Sequence, residues 1–292
     1  MTGALWATAS GVGFGLFQSL NRRAIRGIDD PLVSTFLQLA VGTLVLVAAS
    51  LATEDLARLS EATTASILIF GLAGLVHFGL GWSFLNLSQA RIGAARTAPL
   101  ITLTPLFGIA LAAVALRELP SVETLAAIVP VMGGAWLVAG RGHGVRLDPN
   151  TGFAFATAFM WALSAVLTVE ALEGFDSPLL GVTLGMVAAS AGMGAGLAVR
   201  GSLRALGDIA RDALALKLAA GLIVALATWS RLIALDGTAV GVVLALNLIS
   251  VPIVLVLAPL MVGRHLEPVN RRVWAGAVLV LAGSFALIAV GR

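Results

Sequence analysis

The sequence predicts an all-α polytopic membrane protein with ten transmembrane helices in two inverted five-helix repeats. Three observations lead there. Of 292 residues, 59% are hydrophobic and only 11% are charged, with a mean hydropathy of +1.01. A soluble domain carries about 25% charged residues, so this chain lacks the polar surface to cover a water-facing globule. Soluble enzymes, nucleic-acid binders and disordered chains are thereby disfavoured. The apolar residues also fall into ten segments, each near the roughly 20 residues a helix needs to cross the hydrocarbon layer. Runs such as VAASAGMGAGLAV are apolar all round and do not alternate as barrel strands do. Finally, a shift of 147 residues pairs Gly27 with Gly174, Pro31 with Pro178, Gly74-Leu75 with Gly221-Leu222, Trp82-Ser83 with Trp229-Ser230, and Pro105 with Pro252. Five helices per half is odd, so the second half must enter the membrane from the opposite side. The repeats are set at 1–146 and 147–292.

The first helix, 3–21, has no basic segment before it and no cleavage site after it, and is expected to be retained. It carries GVGFG, whose glycines allow close helix approach, and ends on Gln18 and Asn21. Helix two (32–52) contains Gln38. Helix three (66–88) contains His77, Trp82 and Asn86. Helix four (93–116) opens on Arg96 and is interrupted by Pro105. Helix five (122–140) is Gly-rich and helix six (152–172) contains Trp161, Ser164 and Glu170. Helix seven (179–199) repeats the glycines at 192, 194 and 196. Helix eight (214–235) contains Trp229 and Arg231, with Asp236 a turn beyond. Helix nine (239–262) contains Asn247, Ser250 and Pro252. Helix ten (271–290) closes the chain.

The connections are short and carry nearly all the charge. Fourteen basic residues, from Arg22 to Arg272 and including Lys217, lie with the odd-numbered connections, against Arg58, Arg117, Arg231 and Arg292 on the other side. That bias places both termini on the non-cytoplasmic side, with a bacterial inner membrane as the expected location. Cysteine is absent and the three histidines are scattered, so no cofactor or metal is expected.

Polar groups inside apolar helices are costly and mark function. The expected substrate-binding set is Gln18, Gln38, His77, Trp82, Asn86, Arg96, Trp161, Ser164, Trp229 and Asn247. His77 reads as a proton carrier or ligand, or as a neutral ring bonded between helices. Arg96 reads as a fork for a carboxylate or phosphate, or as a side chain reaching back to the interface. The tryptophan pair reads as a cavity wall or as interfacial anchors. Arg231 and Asp236 read as an ion pair or gate, and Pro105 and Pro252 as equivalent kinks that act as hinges. No carboxylate lies near a helix centre, so the interior suits neutral, zwitterionic or anionic solutes.

The opening GALWATASGVGFGLFQSLNRRAIRGIDDPL, the segment RTAPLITLTPLFGIALAAVALRELPS and its second-half echo NLISVPIVLVLAPLMVGRHLEPVNRR resemble the EamA-type branch of the drug/metabolite transporter superfamily. His265 stands where the first half has Glu118. The resemblance implies a secondary-active carrier, not an enzyme, that exports small polar metabolites, amino acids first, by alternating access. The driving force is the proton gradient or downhill flux. Its partners would be a small-molecule substrate, protons and membrane lipid, with no nucleic acid. A transporter of lipid or lipid-linked substrates and a membrane-embedded lipid-modifying enzyme are the alternatives.

Overall fold

A computed structural model describes residues 2–116, 121–139, 148–237 and 240–290. Glu118 and His143 lie outside the described residues, as does the side chain of Asp236. The chain is an all-α polytopic membrane protein. Its helices are α1 (Thr2–Ala24), α2 (Pro31–Thr53), α3 (Thr64–Ile92), α4 (Ala94–Ile101 and Thr104–Leu116) and α5 (Val122–Ala139). The second set is α6 (Gly152–Glu173), α7 (Pro178–Val199), α8 (Arg211–Gly237), α9 (Val240–Asn247 and Ser250–Val262) and α10 (Arg271–Val290). Nine of the described stretches are long and apolar enough to span a membrane. α1 is not among them; it carries Gln18, Asn21, Arg22 and Arg23 near its end.

Local chemistry sets the boundaries. Asp30 caps α2 by accepting from Leu32 N at 2.8 Å, with Pro31 in the first turn, where a missing N–H costs nothing. Its counterpart 147 residues on is Ser177, which caps α7 ahead of Pro178. α3 ends at Gly93, whose φ of +84° suits glycine; a Cβ there would also lie 2.5 Å from a carboxylate oxygen of Glu267. The expected kinks are present as full breaks. α4 is interrupted at Thr102–Leu103 and α9 at Leu248–Ile249, each just ahead of its proline. A proline ring clashes with the carbonyl four residues back, here Ile101 and Leu248. Those carbonyls instead accept the Thr104 hydroxyl at 2.8 Å and Val251 N at 3.1 Å.

Packing follows the glycines. α1 lies on α8 and α9, α2 on α7 and α8, α3 on α6 and α7, α4 on α6 and α9, and α5 on α10. A Cβ on Gly74 of α3 would fall in the backbone of Gly185 on α7, and one on Gly13 of α1 would meet Ala227 of α8 at 2.8 Å. The centre is filled by Phe17, Leu39, Phe78, Trp82, Leu85 and Met186. Leu44, Leu51, Leu68, Val129 and Leu260 are exposed around the outside, as lipid-facing residues should be.

The structure corrects the tally of basic residues. Lys217 is fully buried and Arg22 is nearly so, held in an ion pair with Glu267. Neither faces a headgroup, and Arg231, counted on the opposite side, is half-buried as well.

Candidate functional site

The middle of α3 departs from α-helical geometry. Leu75–Gly81 is a π-helical segment, a device that re-aims side chains and recurs at functional sites. It sets His77 against α6. His77 Nδ1 lies 2.8 Å from Ser164 Oγ, and its ring is stacked on Trp161 with centroids 5.4 Å apart and planes 13° apart. The Ser164 hydroxyl donates to Trp161 O at 2.9 Å. Its one proton is thereby used, so Nδ1 is the donor to Ser164, and Nε2 of a neutral ring is left as an acceptor. Phe78, Trp82 and Phe17 continue the aromatic line, with centroids 5.0 Å and 6.4 Å apart.

Unused donors lie beside this packed aromatic line. Gly79 is buried, yet a Cβ on it would meet nothing within 4 Å. Trp161 Nε1 and Arg231 Nε are buried without a partner among the described residues, as is the acceptor Gln18 Oε1. Arg231 is half-buried on α8. Buried polar atoms are almost always paired, so such gaps need a reason.

A second cluster lies toward the end where odd-numbered helices finish and even-numbered ones begin. Lys217 Nζ donates to Asn21 Oδ1, to Gln38 Oε1 at 2.9 Å and to Asn86 Oδ1 at 3.3 Å. Asn21 Nδ2 donates to Asn86 Oδ1 and to Gln89 Oε1, both at 2.8 Å, and Asn86 Nδ2 donates to Thr35 Oγ1 at 2.8 Å. Side chains from α1, α2, α3 and α8 are thus tied together. Gln38 Nε2 and Gln89 Nε2 are left without acceptors among the described residues.

Two ion pairs lie at the same end. Arg22 Nε meets Glu267 Oε1 at 2.5 Å, while Glu267 Oε2 accepts from Ala95 N at 3.0 Å, joining α1, α4 and the approach to α10. Arg96 donates to Val138 O and Ala139 O, each at 3.1 Å, and pairs with Asp148 at 3.5 Å. A guanidinium at the end of α5 satisfies carbonyls that the helix itself leaves open.

The structure therefore sorts the residues singled out in the sequence. His77, Trp161 and Ser164 come together at the centre, with Trp82 fully packed behind them and Trp229 half-buried against the same core. Gln38 and Asn86 belong to the Lys217 cluster. Asn247 accepts from Ser10 at 3.0 Å and donates to Val243 O at 2.8 Å, tying α9 to α1. Arg96 is held by backbone carbonyls and Asp148. Two residues that sequence reasoning passed over are central to the clusters. Lys217 is the only lysine in the chain and lies inside the apolar run ALALKLAAG, a signal that the sequence does carry. Glu267 lies in a loop sequence with nothing to mark it as buried.

Parts of this chain are similar to known proteins. Residues 1–140 match the EamA-like transporter family. Over 124 residues, 42% of this chain, it is 31% identical to phosphoenolpyruvate/phosphate translocator 1 of Arabidopsis thaliana chloroplasts. It is 27% identical over 124 residues to a non-green plastid triose phosphate/phosphate translocator of Brassica oleracea var. botrytis. The matched stretch spans only 29% and 30% of those two proteins. A crystal structure superposes with a TM-score of 0.59 at 19% identity, covering 98% of this chain and 97% of that one, and so shares the fold.

Proposed function

We propose, from the premise that this is an EamA-like chain, that it is a carrier moving small metabolites with an acidic group across a membrane. One observation carries the reading. The interior holds two cations, Lys217 and Arg231, that pair with no carboxylate among the described residues. The side-chain N–H groups of Gln38, Gln89 and Trp161 are buried without acceptors among the described residues. Such an interior attracts a carboxylate or phosphate and repels an organic cation, and exclusion of water strengthens both effects. The names of the plastid relatives point to the same solute class. Amino acids stay within it, because their carboxylate meets the same donors.

The central site is assigned to His77, Trp161, Ser164 and Arg231. The Arg231 fork would take the acidic group, Trp161 Nε1 would supply a further donor, and the stacked His77–Trp161 wall would bound the solute. Alternating access fits the arrangement. The main contacts of α1 with α8 and α9, of α6 with α3 and α4, of α2 with α7 and of α5 with α10 support inverted repeats 1–146 and 147–292. The breaks before Pro105 and Pro252 supply equivalent hinges. The Arg22–Glu267 and Arg96–Asp148 pairs and the Lys217 cluster support a closed state of that end. The basic residues favour a cytoplasmic position for that end, with both termini outside.

The test is efflux from proteoliposomes loaded with matched acidic, neutral and cationic metabolites, read by mass spectrometry. Acidic solutes should leave at rates the empty vesicles do not show. Efflux of quaternary ammonium compounds in preference to acids would overturn the reading.

A further inference from the structure

Lys217 is the only lysine in 292 residues, and it is fully buried. Its three partners are carbonyl oxygens of neutral amides. Among the described residues it has no ion pair. The nearby carboxylate at this end, Glu267, is already taken by Arg22 and Ala95 N. A buried charge without a counter-charge is expensive, and a partly satisfied polar network is worse than an apolar one.

Packing does not require this arrangement, because the same chain shows an apolar solution. Under the 147-residue offset Lys217 corresponds to Phe70, Gly221 to Gly74, and Gln38 to Gly185. The α3–α7 crossing closes with Gly74 on Gly185 and with Phe70, fully buried, packed over Gly181 and against Phe175. The α8–α2 crossing is also close, since a Cβ on Gly221 would lie 3.4 Å from Gln38 O. There, however, a lysine and four amides fill the space that an aromatic ring fills in its counterpart. The donor count gives the direction. The side-chain NH2 groups of Gln38 and Gln89 have no acceptor among the described residues, although both side chains are fully buried. The cluster has a surplus of N–H groups and no anion.

We propose that Lys217, with Gln38, Asn86 and Gln89, is a second oxyanion-binding position, which the acidic group of the solute occupies when this end of the bundle opens. It rests on the carrier reading above. In the closed form the amide oxygens hold the lysine in place. On opening, a carboxylate or phosphate oxygen replaces them, and the freed amide N–H groups supply further donors. The solute would thus pass between two cations, Arg231 on one side of the aromatic line and Lys217 on the other.

A single lysine makes the test direct. The full chain labelled with 15N at lysine Nζ, in nanodiscs, has one lysine side-chain resonance. It is titrated with inorganic phosphate, with acetate, and with sodium chloride at matched ionic strength. A saturable shift with phosphate or acetate, absent with chloride and retained in Arg231→Gln, is the expected result. A shift that follows ionic strength alone, or no shift, overturns the second position. Lys217→Met, which replaces the lysine with an apolar side chain of similar length, should fold with at least the parent's thermal stability and lose tenfold or more of acidic-solute counterflow. Parent-level counterflow in that variant also overturns it. Wild-type efflux separates the two claims: acid efflux with an unmoved lysine resonance removes the second position and leaves the carrier standing. A saturable lysine shift without efflux removes the carrier reading alone.

Discussion

Glu267→Gln is the perturbation whose size the structure defines best. Glu267 is 1% exposed and bridges Arg22 on α1 to Ala95 N at the start of α4. Glutamine keeps the shape and can still accept from Ala95 N, but it leaves the Arg22 guanidinium buried without a counter-charge. Removing one partner of a buried pair costs about 3–5 kcal/mol. In an open form water would reach Arg22, so the penalty falls mainly on the closed one. If only a third of it, about 1.4 kcal/mol, separates the two forms, the open population rises tenfold. The chain has no cysteine, so one engineered thiol reports cleanly. Ser88→Cys is close to isosteric; Ser88 is fully buried at this end and bonded to Thr97 at 2.8 Å. In that background Glu267→Gln should speed labelling by a small hydrophilic maleimide at least tenfold. Arg22→Gln should act in the same direction, and the double variant should cost less than the sum. Parent-rate labelling at unchanged thermal stability would refute the reasoning.

Other outcomes follow from the same geometry. Gly74→Ala forces a methyl into the Gly185 backbone, so it should destabilise by about 3 kcal/mol or prevent assembly, while Gly79→Ala, with open space before it, should stay within about 1 kcal/mol of the parent; thermal unfolding in detergent compares them. Ser164→Ala removes the partner of His77 Nδ1 and should lower apparent solute affinity about tenfold while stability changes by no more than about 1–2 kcal/mol, read by counterflow against concentration beside thermal unfolding. A cysteine added after Arg292 should react with an impermeant thiol reagent in intact cells whose outer membrane, where there is one, has been permeabilised; reaction only after the inner membrane is broken would reverse the orientation.

The helices are legible in the sequence because lipid leaves the backbone one solution, and a run of some 20 apolar residues announces it. The breaks in α4 and α9 are legible for a similar reason, since proline acts on a carbonyl four residues away. The π-helical turn at Leu75–Gly81 is not, because LVHFGLG carries no mark that separates it from ordinary helix. Lys217 follows the basic stretch RGSLRALGDIARD closely enough to pass as part of it; only the crossing of α8 with α2 shows it pointing inward. Arg96 stands out in the sequence, but its partners are carbonyls at the end of α5, more than forty residues on, and no local pattern gives that pairing. His77, Trp161 and Ser164 are each visible as polar or aromatic residues in apolar helices. Their convergence depends on how α3 and α6 pack, which residue type alone does not determine.

The central claim is that interior cations select acidic solutes, and charge at Arg231 tests it most directly. Counterflow of a radiolabelled acidic solute is measured in proteoliposomes for the parent, Arg231→Lys and Arg231→Gln, beside a neutral solute of similar size. A hydrogen bond to a charged group is worth about 1.5–3 kcal/mol, so Arg231→Gln should raise the half-saturating concentration of the acid about 10–150-fold. Arg231→Lys should keep part of the affinity, because the charge remains while the planar fork is lost. The neutral solute should gain relative to the acid. Equal transport of the acid by all three proteins, with the preference for acid unchanged in Arg231→Gln, would contradict the account.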